Sequence, residues 1–365
     1  MTTGIVYDNI YLEHRIGTHV ESHERLIAIM DFLKDQGILE SPNFKIINPR
    51  KATLEQIKYV HTEQLINQVR NMSERAASAG HVQSLDMDTL VSPKTYEASL
   101  FSVGGNLEGI DQILSKEVNN GFALVRPPGH HTNENRCAGF CIFNNIAIGT
   151  EYLIREKGFK RIAIIDWDCH HGNGTQDIFF NGSPSEKGEV VIFGSHQDGR
   201  TLYPGSGFPD EIGSEEGKGK IINYPMPPRA AEDIIMRFFD EIIEPILNEY
   251  APEFILISAG FDTHHTDRLT NMGWTYQGPA EYLKKIKRLA DKYSEGRILI
   301  TLEGGYQLDK QAKAVHNCLR VLNEDPEETL IKESSRESNS ELLQYINGKL
   351  IPHLKDNLSP YWDCF

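Results

Sequence analysis

Cysteine is scarce: Cys137, Cys141, Cys169, Cys318 and Cys364 are odd in number and scattered along the chain. Such spacing is no disulfide framework and favours a reducing compartment. Cys137 and Cys141 stand in CAGFC, too small a group for a structural zinc site without further ligands nearby. Positive charge is in deficit, with 37 Lys and Arg against 52 Asp and Glu and a net charge of −15. That balance argues against a direct nucleic-acid binder gripping phosphates. It suits cationic partners, although acidity for solubility alone explains the charge equally well. No apolar run approaches the ~18 residues of a membrane span, so no membrane association is expected. The opening MTTGIVYDNIYLEHR has polar and acidic residues where a secretory signal needs an apolar core. A cytoplasmic protein is expected, with nuclear or exported fates left open. Internal repeats, dividing linkers and a nucleophilic Ser or Cys motif are also missing.

What is present is an alternation of apolar strands and amphipathic helices. Strands are expected at 4–8, 121–125, 162–166, 190–193, 254–258 and 297–302, those at 121–125, 162–166 and 254–258 of the buried type. Helices are expected at 21–33, 53–60, 63–69, 96–114, 146–156, 231–249, 279–293 and 310–322, with a peripheral helix at 341–354. This pattern indicates an α/β fold, a mainly parallel sheet with helices on both faces in three layers. One domain over 1–365 is the simpler organisation, its core at about 4–322 and 323–365 a peripheral extension.

Polar residues cluster where the strands end. Ile162–Ile165 runs into Asp166-Trp-Asp168-Cys-His170-His171-Gly-Asn-Gly174. Alternation along an extended chain would put Asp168 and His170 on one face, and Gly172 and Gly174 would then let the backbone turn. Taken alone, Asp168-x-His170 reads as a satisfied carboxylate–imidazole pair. Its company changes that reading: His130-His131, Asp262 and Tyr306 follow three other expected strands. In open parallel sheets ligands bind outside those carboxyl ends. Asp168, His170 and Asp262 can supply three ligands to a catalytic zinc and leave one position open. The histidine pair can serve as base and acid, and Tyr306 can donate to a developing oxyanion. With no side-chain nucleophile, the set fits metal-assisted amide hydrolysis by water. His19, His23 and His61 read as structural.

The segments RPPGHHTNENRCAGFCIFNN (126–145), IDWDCHHGNGTQDIFF (165–180), YPGSG (203–207), SAGFDTHHTDRL (258–269) and LEGGY (302–306) resemble the zinc-dependent histone deacetylase superfamily. That group includes acetylpolyamine amidohydrolases and bacterial deacetylase-like amidohydrolases, and the class II and bacterial branch is nearest. The resemblance implies the arginase/deacetylase fold and one catalytic zinc on Asp168, His170 and Asp262. It implies His131 as general base, with His130 its electrostatic partner and acid. Asp166 would orient His130 and help hold a structural potassium ion, and Asn173 would stand behind His131. Gly139, Phe140 and Tyr203 match the walls of a narrow acyl-lysine tunnel, with Gly304 also against the substrate. Tyr203 replaces a phenylalanine common there. Asp88 matches a rim carboxylate that grips the substrate backbone, and Leu269 a rim position where polyamine-selective relatives carry an acidic gatekeeper. Tyr306 matches the carbonyl-polarising tyrosine.

The chain departs from that pattern at two places. Gly194 stands where many relatives offer a serine hydroxyl to potassium, and GTHVESHERL lacks the prolines of the corresponding segment while keeping Arg25. Asp262-Thr-His264 repeats the D-x-H spacing, but a two-metal site would want a carboxylate near 172–174, where Gly-Asn-Gly stands. His264 and His265 are therefore taken as rim residues or residues behind the ligands. The expected activity is zinc-dependent deacylation of N6-acyl-lysine in a peptide or protein, a histone among the candidates. Acetylpolyamine hydrolysis and a weakly active acyl-lysine binding module are the alternatives, and homo-oligomer formation is left open.

Overall fold

The computed structural model describes residues 1–365. Strands β1 (Thr3–Val6), β2 (Phe44–Ile47), β5 (Asn120–Ala123), β6 (Arg161–Asp166), β7 (Glu189–Gln197), β8 (Ile221–Met226), β9 (Phe254–Ala259) and β10 (Ile298–Leu302) form one sheet. A separate ribbon pairs β3 (Gln83–Ser84) with β4 (Leu90–Val91) in antiparallel fashion. The sheet runs β2-β1-β5-β10-β9-β6-β7-β8, and every pair in it is parallel. Its central strands are buried along nearly their whole length, which is why they carry unbroken apolar runs such as Ile162–Ile165.

Two edge strands were not evident in the sequence. β2 is short, and Lys45 interrupts its apolar pattern. β8 contains Pro225, which lacks an N–H for a second neighbour and is tolerated because β8 ends the sheet. β7 is also longer than expected, so Ser195 and His196 lie within the strand rather than after it.

The helices differ from expectation mainly at their ends. The first begins at Glu24, because Glu21 is withdrawn into a buried ion cluster with Arg25 and Arg126. The helix expected to stop at Val69 continues to Ala79 and closes on Gly80 at φ 71°, the left-handed cap that glycine adopts without strain. The expected helices at 231–249 and 341–354 each contain a π turn, at Phe239–Ile243 and Ile346–Leu350. Pro245 and Pro352 come just after those turns; proline removes one N–H from the ladder, and the wider turn absorbs the gap.

One hydrophobic cluster of 94 buried residues runs through the molecule, and it includes Ile346, Leu350, Ile351, Leu354, Leu358 and Trp362. The C-terminal segment, expected to be peripheral, thus contributes to the common core.

Candidate active site

Four adjacent central strands, β5, β10, β9 and β6 in spatial order, deliver the chemistry at their carboxyl ends. His130 and His131 follow β5, Tyr306 follows β10, Asp262 follows β9, and Asp168 and His170 follow β6. They meet at a cavity of about 240 Å³ lined by Asp88, His130, His131, Gly139, Phe140, Asp168, His170, Tyr203, Leu269, Gly304 and Tyr306. A larger cavity, about 640 Å³, opens at the other end of the sheet among Lys160, Glu186 and Glu189. It holds none of these residues.

Asp168 and His170 come together by a route other than strand alternation. β6 ends at Asp166, and Asp168 Oδ1 then accepts the His170 backbone N–H at 2.8 Å, a local turn that folds the imidazole onto the carboxylate. His170 Nδ1 lies 3.3 Å from Asp168 Oδ1 and 2.9 Å from Asp262 Oδ2, and the three ligand atoms are within 4.8 Å of one another. The remaining carboxylate oxygens are fixed from behind. Gly304 N–H donates to Asp168 Oδ2 at 2.8 Å and Cys169 N–H to Asp262 Oδ1 at 3.0 Å. A β-carbon on Gly304 would sit 2.6 Å from Asp168 Oδ2 and 2.7 Å from Asp262 Oδ2, so only glycine fits there. Burial works against charge on His170, but hydrogen bonds to Asp168 and Asp262 raise its pKa to about 10. Two buried carboxylates converging on one nitrogen are a seat for a cation. An oxygen–oxygen–nitrogen set of this kind fits zinc.

The two histidines of the pair differ in their backing. His130 Nδ1 lies 3.0 Å from Asp166 Oδ2. Burial opposes its charge, yet Asp166, Asp168 and Glu303 outweigh it and lift its pKa to about 10. His131 Nδ1 lies 2.7 Å from Asn173 Oδ1. That neutral oxygen can only accept, so Nδ1 carries the hydrogen and Nε2 keeps its lone pair. Burial, then His130 and His170, hold the His131 pKa well below its ordinary value. One imidazole is thus held cationic and its neighbour neutral, with ring centroids 4.1 Å apart. Asn173 begins a short helix, Asn173–Phe179, that was not expected. Gly172 has an ordinary negative φ; its role is clearance rather than a sharp turn, since a β-carbon there would meet Asp166 Oδ2 at 2.3 Å.

Tyr306 reaches the cavity from a tightly held turn. Arg25 donates from Nε to Gly305 O at 2.7 Å and from an Nη atom to Glu303 O at 2.6 Å, and its guanidinium stands 5.2 Å from the Tyr306 ring centroid. Arg25 thus clamps the two-glycine turn that carries Tyr306. Asp267 adds to the clamp by accepting the N–H of Tyr306 at 3.0 Å and of Leu269 at 2.9 Å. Tyr203 meets the His131 ring edge to face at 5.2 Å, and Phe140 meets Tyr306 likewise at 6.0 Å. At the rim, Asp86 accepts the N–H groups of Asp88 and Thr89 and so presents Asp88 from the β3–β4 turn. Leu269 is partly exposed beside it.

Several residues were missed in the sequence. Glu303 is fully buried, accepts Gly129 N–H at 2.8 Å, and is pushed by burial up to about 7. Glu21, not singled out, forms a buried ion cluster with Arg126 and with Arg25, the residue kept from the family pattern. Asp267 is raised by burial and by Asp262 to about 6. The only local signal for these was charge placed next to apolar runs. At the place of the implied potassium ion, Gly194 has no side-chain oxygen, and the Ser195 hydroxyl donates to Asp166 O at 3.0 Å instead; the donor set is one hydroxyl short. His264 and His265 turn away from the tunnel and face Glu333.

Residues 19–322 match the family model of the histone deacetylase domain. The chain belongs to the histone deacetylase family. A probable deacetylase of Archaeoglobus fulgidus is 38% identical across 100% of both chains. Histone deacetylase 14, chloroplastic, of Arabidopsis thaliana is 35% identical over 85% of this chain and 74% of its own. The acetoin utilization protein AcuC of Staphylococcus xylosus is 33% identical over 89% of this chain and 84% of its own. Among solved structures, the HDA15 HD domain superposes with a TM-score of 0.85 at 28% identity, covering 99% of this chain and 95% of that one. This member of the histone deacetylase family therefore shares the eight-stranded parallel architecture as well as the sequence, and is a hydrolase of the deacetylase type.

Proposed function

We propose that the protein removes acyl groups, acetyl by default, from lysine side chains of peptides or proteins with the help of one zinc ion. The observation that carries this reading is the cavity lined by Asp168 and His170, the latter in contact with Asp262, with a neutral His131 on one wall and Tyr306 on another. Zinc held by Asp168, His170 and Asp262 supplies Lewis acidity and lowers the pKa of water at the site. His131, neutral and with Nε2 unprotonated, takes the proton from the attacking water. Tyr306, whose hydroxyl burial keeps protonated, donates to the oxygen of the acyl carbonyl as charge builds there. His130, held cationic through Asp166, stabilises that charge and can return a proton to the departing amine. Phe140 and Tyr203 exclude water around the alkyl chain, and Asp88 accepts N–H groups from the substrate backbone.

An apolar, partly exposed Leu269 at the rim favours a peptide over a polyamine, which would gain from a carboxylate there. The deciding experiment compares rates of the zinc-loaded protein on acyl-lysine peptides (acetyl, trifluoroacetyl and longer chains) and on acetylated polyamines. Faster peptide turnover is expected. Faster polyamine turnover would reassign the substrate class, and no turnover on either, with peptide binding retained, would make the protein an acyl-lysine binding module.

A further inference from the structure

Outside the tunnel, one cluster of metal-ligating side chains is unexplained by amide hydrolysis. His264 and His265 follow β9, and Glu333 lies in the connection to the C-terminal helices. His264 Nε2 stands 3.1 Å from Glu333 Oε2 and His265 Nε2 stands 3.2 Å from Glu333 Oε1. The two rings stack at 4.5 Å, and the ligand atoms of all three residues lie within 4.8 Å of one another.

We propose that His264, His265 and Glu333 form a second metal site, which takes a divalent transition ion of the zinc type. The inference goes beyond the proposed activity and does not depend on it. Ligand atoms around a tetrahedral ion with bonds of roughly 2.0–2.1 Å stand about 3.3 Å apart. The separations of 3.1 and 3.2 Å, which run to the two oxygens of Glu333, are close to that edge, and with all three ligand atoms within 4.8 Å of one another an ion seats by drawing the ligands inward. They also match the 2.9 and 3.3 Å separations within the tunnel's own ligand set. Two imidazoles and one carboxylate suit zinc or its neighbours, whereas calcium and magnesium take oxygen shells.

The surroundings are built to hold the ligands in place. Glu333 Oε2 also accepts Tyr276 N–H at 3.1 Å, and Glu333 N–H donates to Gln277 Oε1 at 2.6 Å. Two proton arrangements are open to His264. With the proton on Nε2, that atom donates to Glu333 and Nδ1 accepts Thr266 N–H at 3.2 Å. With the proton on Nδ1, the Thr266 hydroxyl at 2.9 Å accepts it, the Thr266 N–H gives up its contact with Nδ1, and Nε2 is released as a ligand whose ring is oriented by an outer hydrogen bond. His265 and Glu333 are 23% and 19% exposed at the side chain, which leaves a solvent side for ion entry and a water ligand.

The loop from Asp262 carries the tunnel ligand, then His264 and His265, then Asp267, which holds Tyr306 N–H, and then Leu269 at the rim. An ion on Glu333 therefore ties the C-terminal connection to the loop that shapes the tunnel mouth.

The test counts zinc by plasma mass spectrometry in the full chain, loaded with zinc and dialysed free of excess. Two ions per chain are expected for the wild type and one for each of Glu333→Gln and His265→Gln, while Asp168→Asn keeps the ion at His264. Melting curves report whether each variant is folded, and His265→Gln keeps the question open to test if Glu333→Gln is not. Glu333→Gln and His265→Gln that bind as much zinc as the wild type, whether one ion or two, would overturn the site. One ion in the wild type, lost in Glu333→Gln but kept in Asp168→Asn, would uphold this site and overturn the tunnel's zinc reading instead.

Discussion

Asn173 holds His131 through a 2.7 Å contact between its amide oxygen and the imidazole Nδ1. Because the amide is uncharged, it orients the ring and fixes its tautomer, favouring the imidazolium only through a hydrogen bond that burial outweighs. The neighbouring His130 has a carboxylate, Asp166, in the equivalent place. The difference between amide and acid helps to separate the protonation states of two adjacent imidazoles, together with Asp168 and Glu303 around His130 and the positive charge of His130 beside His131.

Asn173→Asp places a negative charge against His131 Nδ1 and raises that imidazole's pKa. A base must be neutral to act, so activity should disappear at a higher pH than in the wild type. The acid limb of the kcat/KM profile is expected to move up by about one pH unit. An unmoved limb would remove His131 from the role of base.

Tyr306→Phe deletes one hydroxyl aimed into the cavity and leaves the Arg25 and Asp267 contacts to the turn in place. Loss of one oxyanion donor costs about 10²–10³ in kcat. Zinc content should stay unchanged, which separates a lost donor from a lost metal. A rate within a few-fold of the wild type would exclude Tyr306 from the chemistry.

Leu269→Glu puts a carboxylate at the rim beside the mouth. A cationic polyamine should then gain relative to a peptide, with the ratio of kcat/KM values moving about tenfold, ~1.4 kcal/mol. Unchanged selectivity would place the discrimination elsewhere in the tunnel.

His61 is buried, with Nδ1 on Asn133 O at 2.9 Å and Nε2 accepting Asn144 N–H at 2.8 Å. Protonation would destroy the second contact, and burial lowers the pKa from 6.5 to about 4. The unfolded chain binds this proton below about pH 6.5 and the native chain does not until about pH 4, so stability falls as pH drops through that window. Between about pH 7 and pH 5 the loss from this group is roughly 2 kcal/mol. Urea unfolding at both pH values should show a flatter dependence in His61→Gln, and an identical slope would sink the assignment.

The pattern of residues along the chain was enough to set the central strands and the polar groups at their ends. Ile162–Ile165, Phe254–Ile257 and Ile298–Ile300 are apolar without a break, and that continuity is the mark of a strand covered on both faces. Since a strand's end is local information, so was the placement of His130, His131, Asp168, His170, Asp262 and Tyr306 at one end of a parallel sheet. The edges were less legible: β2 is four residues long and β8 holds Pro225, and short or broken patterns leave periodicity little to register.

Tertiary structure alone decided how those groups are held. Asp267 reaches Tyr306 across 39 positions, Glu21 meets Arg126 across 105, and Arg25 clamps Gly305 across 280. No periodicity reports such pairings, because they exist only where buried charge must find its partner or bear the full cost of desolvation. The glycines obey the same rule. Gly172 and Gly304 are required by what stands beside them in space, Asp166 in one case and Asp168 with Asp262 in the other. Sequence alone could say which residues end the strands, and only packing could say which atoms have room to meet.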